Sequence, residues 1–234
     1  MLNQRNYQAL KTLADYSVLD APIRIPVAQP PSPPRHTMYI LRMLVRAKYG
    51  TMKIPRGLWW LNSTINRLAD FDANYTGIGA SWCYVTIRHG IPRSVTDDEW
   101  HFDGSSFRVE IIPERNYVSV NHTPTEYKVG RLNIPDDFDP LKHNLFRFAA
   151  AQLIDAPTLT TQPNQWYLLN PFCLHRRPPV VPPVSRTFIR ICFTDIEGRD
   201  INNTPNSRLS TPAFGRDPVK SFRDKLTDYA PEAS

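Results

Sequence analysis

The chain has 234 residues, 41% of them hydrophobic and 21% charged, with a formal net charge of +6. That length allows one sizeable core with appendages, and no run of 18 apolar residues exists to span a membrane as a helix. Three cysteines (Cys83, Cys173, Cys192) with no CxxC pair argue against a disulfide framework or a structural zinc site. They fit a reducing, cytoplasmic setting.

The first 15 residues mix Asn, Gln, Arg, Lys and Asp with scattered apolar residues. With no apolar h-region, no secretory signal is expected. Residues 1–21 can carry a short helix. Residues 22–35 hold six prolines and read as an extended arm outside any sheet. Residues 38–49 read as a helix with Leu41, Leu44, Val45 and Lys48 on one face, stopped by Gly50. A second helix is predicted over 58–69.

After Gly79 the period changes to two. Residues 81–88 (SWCYVTIR) form a strand rich in aromatic and β-branched side chains. Residues 107–112, 117–121 and 165–170 are further strand candidates, and 144–154 can be a strand running into a helix, with the choice open. The clearest strand is 187–193 (TFIRICF). The polar stretch 202–215 is expected outside the strands. Asp217-Pro218 has the form of an N-cap followed by proline at the first helical position, which predicts a terminal helix over 218–229. The 23 prolines and nine glycines imply stiff connections and short elements. Together these features predict a mainly β barrel or sandwich of the jelly-roll type with flanking helices.

Trp100-His101-Phe102-Asp103-Gly104 places a His and an Asp two residues apart, on the same side of a strand. The tripeptide alone is uninformative, since a chain of this composition yields about 0.6 His-x-Asp/Glu matches by chance. His175 follows in PFCLHR. Two His and one carboxylate on one side of a metal leave positions open, the arrangement of non-haem Fe(II) oxygenases. His122 is the alternative second histidine, ranked lower because no arginine-bearing strand follows it closely. Downstream, Arg186, Phe188, Arg190 and Cys192 share one face of a strand whose other face is mostly apolar. Arginines on such a strand need anions, and the guanidinium fork suits a carboxylate.

In these residues the chain resembles the Fe(II)/2-oxoglutarate-dependent dioxygenases, double-stranded β-helix (cupin-like) enzymes with an HxD…H triad and a basic residue about ten positions after the second His. The match covers roughly residues 80–195. The resemblance implies an oxygenase, a hydroxylase given the Asp at the second triad position, using Fe(II), 2-oxoglutarate and O2. It implies iron ligation by His101, Asp103 and His175, and 2-oxoglutarate held by Arg186. Thr125, in the NHTPT segment, is the further cosubstrate contact, although a simple Pro-containing turn accounts for that segment equally well. Arg190 resembles the second arginine of the taurine-dioxygenase-like branch, which helps bind an anionic substrate, and Trp100 is expected to line the pocket. Residues 37–196 would then be helices plus the catalytic core, flanked by 1–36 and 197–234.

A small, anionic or amino-acid-like substrate is favoured. A nucleic-acid base, needing a basic stripe and aromatic side chains beside the pocket, and an iron-free jelly-roll binding protein are the rivals. Trp59, Trp60 and Trp82 are read as core, Cys173 and Cys192 as buried small hydrophobes, and His36, His89 and His143 as without a partner pattern.

Overall fold

The computed structural model describes residues 16–28, 33, 40–46, 50–77, 79–91, 99–103, 114–178, 184–195, 203–209 and 227–230. The elements are β1 (Val18–Leu19), β2 (Ile23–Ile25), β3 (Ile40–Arg46), a 3-10 helix (Arg56–Leu61), α1 (Asn62–Thr76), β4 (Trp82–Gly90), β5 (Arg115–Val120), β6 (Glu126–Lys128), β7 (Gly130–Arg131), α2 (Leu145–Gln152), β8 (Leu159–Thr160), β9 (Trp166–Leu169), β10 (Leu174–Arg176) and β11 (Arg186–Thr194). The chain is mainly β. A six-stranded antiparallel sheet runs β2-β9-β5-β11-β4-β3, a three-stranded one β10-β6-β8, and β1 pairs with β7.

Strands β4 and β11 pair over nine residues, from Arg186 opposite Gly90 to Thr194 opposite Trp82. Their alternation sets two faces. Cys83, Val85, Ile87, Ile189, Ile191 and Phe193 turn one way and bury against Ile65, Leu68 and Tyr75 of α1. Those α1 positions recur three and seven residues apart, one stripe of a helix. Gly77 ends α1 at φ 75, its N–H donating to Ala73 O, the left-handed stop that glycine accepts without a Cβ clash. A buried ion pair fixes α1 to the sheet. Arg115 donates to both oxygens of Asp72 at 2.8 and 2.7 Å, and Tyr117 adds a third donor at 2.9 Å. Such a bidentate pair satisfies charges that burial alone would penalise. The other face, with Thr86, Val118, Arg186, Phe188 and Arg190, looks towards the three-stranded sheet.

Several sequence expectations change. The helix predicted over 38–49 is strand β3, antiparallel to β4 with a bulge between Leu44 and Arg46. Met43 and Val45 turn to the α1 side and Leu44 to the other, a period of two. A short apolar run fits either period, and pairing along the nine-residue β4 decides it. The arm 22–35 is not wholly outside the sheet, because β2 is its edge strand against β9. Prolines at 22 and 26 keep it to three residues. The undecided stretch 144–154 is α2, nucleated by Asn144, whose side chain accepts from the N–H groups of Phe146 and Arg147.

Residues 203–209 are turn and coil. Asn206 clamps them by donating to Leu44 O and Lys53 O at 2.8 and 2.7 Å. Of the predicted terminal helix, the described residues 227–229 are not helical. Thr227 makes a single bridge to His143, and Tyr229 packs on Phe138, His143 and Phe148. Residues 218–226, the strand predicted over 107–112, His36 and most of the helix suggested for 1–21 lie outside the described residues; 16–21 hold no α-helix. All three cysteines are free and buried. Trp59, read as core, is 58% exposed. Among the described residues no helix is long and apolar enough to cross a membrane.

Candidate metal centre

His101 and His175 face each other across a single antiparallel bridge, with both backbone hydrogen bonds made at 2.9 and 3.0 Å. Their neighbours show which way they point. Phe102 is fully buried against Tyr16 and Phe146, and Leu174 packs in the same cluster. By alternation His101, Asp103 and His175 share the opposite side. The imidazole centroids are 4.5 Å apart. One ligand atom from each of His101, Asp103 and His175 falls within 4.8 Å of the others. The same-side spacing read from His-x-Asp and the later histidine therefore meet in space.

The ring nitrogens are already sorted. His101 Nδ1 lies 2.7 Å from Glu99 O, and His175 Nδ1 lies 2.9 Å from Cys173 O. A carbonyl oxygen only accepts, so both Nδ1 atoms donate, and in the neutral ring Nε2 then carries the lone pair. Anchoring the far nitrogen to a carbonyl is how metal-binding histidines are oriented. His175 Nε2 stands 3.6 Å from Asp103 Oδ2. A lone pair and a carboxylate facing each other need a positive charge between them, a proton or a metal ion. Burial pushes the Asp103 carboxyl up, but Arg190, His175 and His101 outweigh it and hold the group well below the usual carboxylate range. The carboxyl is thus held ionised beside the two imidazoles. This donor set, two imidazole nitrogens and one carboxylate with no further His, Cys, Asp or Glu in the cluster among the described residues, fits an open divalent metal site.

The two arginines part company. Arg190 Nη1 is 3.3 Å from Asp103 Oδ2, so it touches the triad itself. Arg186 lies about 13 Å along β11, is 6% exposed, stacks over Phe188 and donates from Nε to His122 O at 3.2 Å. That bond ties Arg186 to the turn that leads to Thr125. In it, Thr123 sits at φ 51, a left-handed backbone that a β-branched residue rarely takes. Thr125 is 6% exposed. Its N–H donates to Thr161 Oγ1, and it lines a narrow crevice with Val118, Val120 and Tyr167, on the face shared with Arg190.

Trp100 is not on the ligand side. It lies next to His101 in the chain, so it turns towards the Phe102 cluster. Arg176 and Lys128 flank its ring at 4.6 and 5.5 Å, and Arg176 is tied to Glu126 at 2.7 Å. Trp100 braces the strands from behind, and the expectation that it lines the pocket is corrected by this packing. His122 contributes a backbone oxygen to Arg186 and is not part of the cluster. Tyr127, absent from the sequence expectations, stands directly opposite His175 on β6 and shares its side. Its spacing of two from Thr125 is the sequence signal that would have found it.

No family description and no curated protein matches this chain. A solved structure, AviO1 from Streptomyces viridochromogenes Tue57, aligns over 80% of this chain and 75% of its own at 13% identity and a TM-score of 0.37, a likeness too slight to carry an argument.

Proposed function

We propose that this protein is an Fe(II)- and 2-oxoglutarate-dependent dioxygenase that hydroxylates a small anionic substrate. The observation that carries the reading is the convergence of two pre-oriented imidazoles and one ionised carboxylate within 4.8 Å, with an arginine-bearing strand beside them. Strand order supports a double-stranded β-helix. Along the chain, β4 lies in the large sheet, His101 bridges to the small one, β5 returns to the large, β6 and β8 lie in the small, β9 in the large, β10 in the small and β11 in the large. Three free buried cysteines suit a reducing, cytoplasmic setting.

Iron and 2-oxoglutarate, when bound, supply the O2 activation and the oxidising power. The chain's residues do the placing. His101, Asp103 and His175 hold the metal on one side and leave the other side for cosubstrate and O2. Arg186 receives the distal carboxylate of 2-oxoglutarate through its fork, with Thr125 offering a hydroxyl from the adjoining turn. Val118, Val120 and Phe188 keep the interior face apolar between these polar groups, which strengthens each charge contact. Arg190, one side of its guanidinium on Asp103, directs the rest towards substrate.

Anaerobic addition of Fe(II) and then 2-oxoglutarate tests the reading. A visible charge-transfer band that needs both is expected, and spectra unchanged by 2-oxoglutarate would contradict it.

A further inference from the structure

Beside and beyond Arg190 the interior face of the large sheet carries polar groups that the metal centre does not use. Thr86 stands directly opposite Arg190 on β4, and Val118 opposite it on β5. One pleat repeat further from Arg186, about 6.6 Å, Cys192 sits between Tyr84 and Asn116. Asn116 is fully buried and Thr86 is 3% exposed. Among the buried side-chain atoms with no hydrogen-bond partner are Thr86 Oγ1, both amide atoms of Asn116 and Arg190 Nε. The register puts all of them on the face from which Arg190 reaches Asp103. Around them the wall is apolar, with Leu44, Tyr84 and Cys192 packed together.

Buried polar groups without partners are rare and lower stability. For folding alone, Val at 86 and Leu at 116 fill the same space better. The unfilled groups are also not alike. The Asn116 amide both donates and accepts, the Thr86 hydroxyl does both, and Arg190 Nε donates. An alcohol is the simplest partner that gives and takes a hydrogen bond at one atom. Arg190, paired with Asp103 through Nη1 and near Glu114, keeps an unmet Nε donor that suits a carboxylate oxygen.

We propose that Thr86 and Asn116 form a substrate-recognition subsite that binds the hydroxyl groups of a small hydroxylated carboxylate whose charge is met by Arg190. The subsite rests on the oxygenase reading for the identity of the reacting centre beside it. Thr86 lies level with Arg190 and Asn116 lies beyond it, away from Arg186, so the subsite leaves the cosubstrate position untouched. A site whose buried groups must be filled discriminates strongly against analogues lacking the hydroxyls.

The test uses the full chain loaded with Mn(II), which occupies the triad without turnover, and the variants Thr86→Val and Asn116→Leu. Each variant without ligand is expected to melt about 2–4 °C above the parent, because an unpartnered buried group has gone. D-glycerate and D-gluconate serve as hydroxylated probes, propionate and hexanoate as their unhydroxylated counterparts. At least one hydroxylated probe should bind the parent by calorimetry, at least tenfold more tightly than its counterpart, and lose tenfold or more in Asn116→Leu. Variants that melt at or below the parent would overturn the proposal, since the groups would then be structural. Equal binding of hydroxylated and plain carboxylates, binding indifferent to both substitutions, or no binding by either hydroxylated probe would overturn it as well. These readouts need no oxidation, so they fail separately from the 2-oxoglutarate band.

Discussion

His101 and His175 each give one ring nitrogen to a backbone carbonyl, and that small fact decides what the other nitrogen can do. On the proposed metal centre, removing either ring takes one of three ligands, so His175→Ala should weaken Fe(II) affinity by orders of magnitude while the unliganded fold survives; calorimetric titration checks this. On the proposed cosubstrate role, Arg186→Gln removes a charge-assisted pair with the distal carboxylate, worth about 2–5 kcal/mol, or tens- to thousands-fold in the apparent KM for 2-oxoglutarate. A KM unchanged by Arg186→Gln would reassign the cosubstrate arginine. The convergence of His101, Asp103 and His175 was legible in the sequence through their types and same-side spacing, as was the shared strand face of Arg186 and Arg190. Trp100 was misread although the information was there, because neighbours on a strand point apart. The carbonyl anchors at Glu99 and Cys173 were not legible, since they depend on where the folded backbone brings each oxygen. The contact between Arg190 and Asp103 was hidden for the same reason.

At the scale of elements, α1 is held by apolar packing and by one buried pair. Asp72→Ala removes the bidentate carboxylate of Arg115 and leaves it Asp195, 4.0 Å away, as a more distant carboxylate, and a loss of about 3–5 kcal/mol in urea unfolding is expected. A loss below 1 kcal/mol would show the pair to be dispensable. Strands β4, β5, β9 and β11 were legible to within two residues at their shared ends, because aromatic and β-branched alternation is their own local property. Strand β3 was not, because 38–49 offers both periods and only its partner β4 chooses. The short edge strand β2 was hidden by the prolines around it, which shorten a strand without forbidding one at a sheet edge. The helix α2 was undecided until its Asn144 cap was seen to bond.

For the whole molecule, buried groups that resist ionisation set an alkaline limit. Burial pushes the thiols of Cys83 and Cys173 and the phenol of Tyr117 far up, with Asp72 adding to the shift at Cys83 and Tyr117. Their folded values lie above the unfolded ones, so the stability they contribute is complete below about pH 8.5 and falls as pH rises, first through the thiols and then near pH 10 through the phenol. Urea midpoints should therefore drop from pH 8 to pH 10.5, and Cys83→Ala should flatten the first part of that fall. A midpoint constant to pH 10.5 would contradict the buried placement of these groups. On the proposed reading, His101, Asp103 and His175 hold one metal ion between the large and the small sheet. Anaerobic equilibrium dialysis against Fe(II), run on the parent and on Asp103→Ala, tests it most directly. One tightly held iron per chain in the parent, lost in Asp103→Ala, is the predicted result. No bound iron in the parent, or a stoichiometric site that survives the substitution, would contradict it.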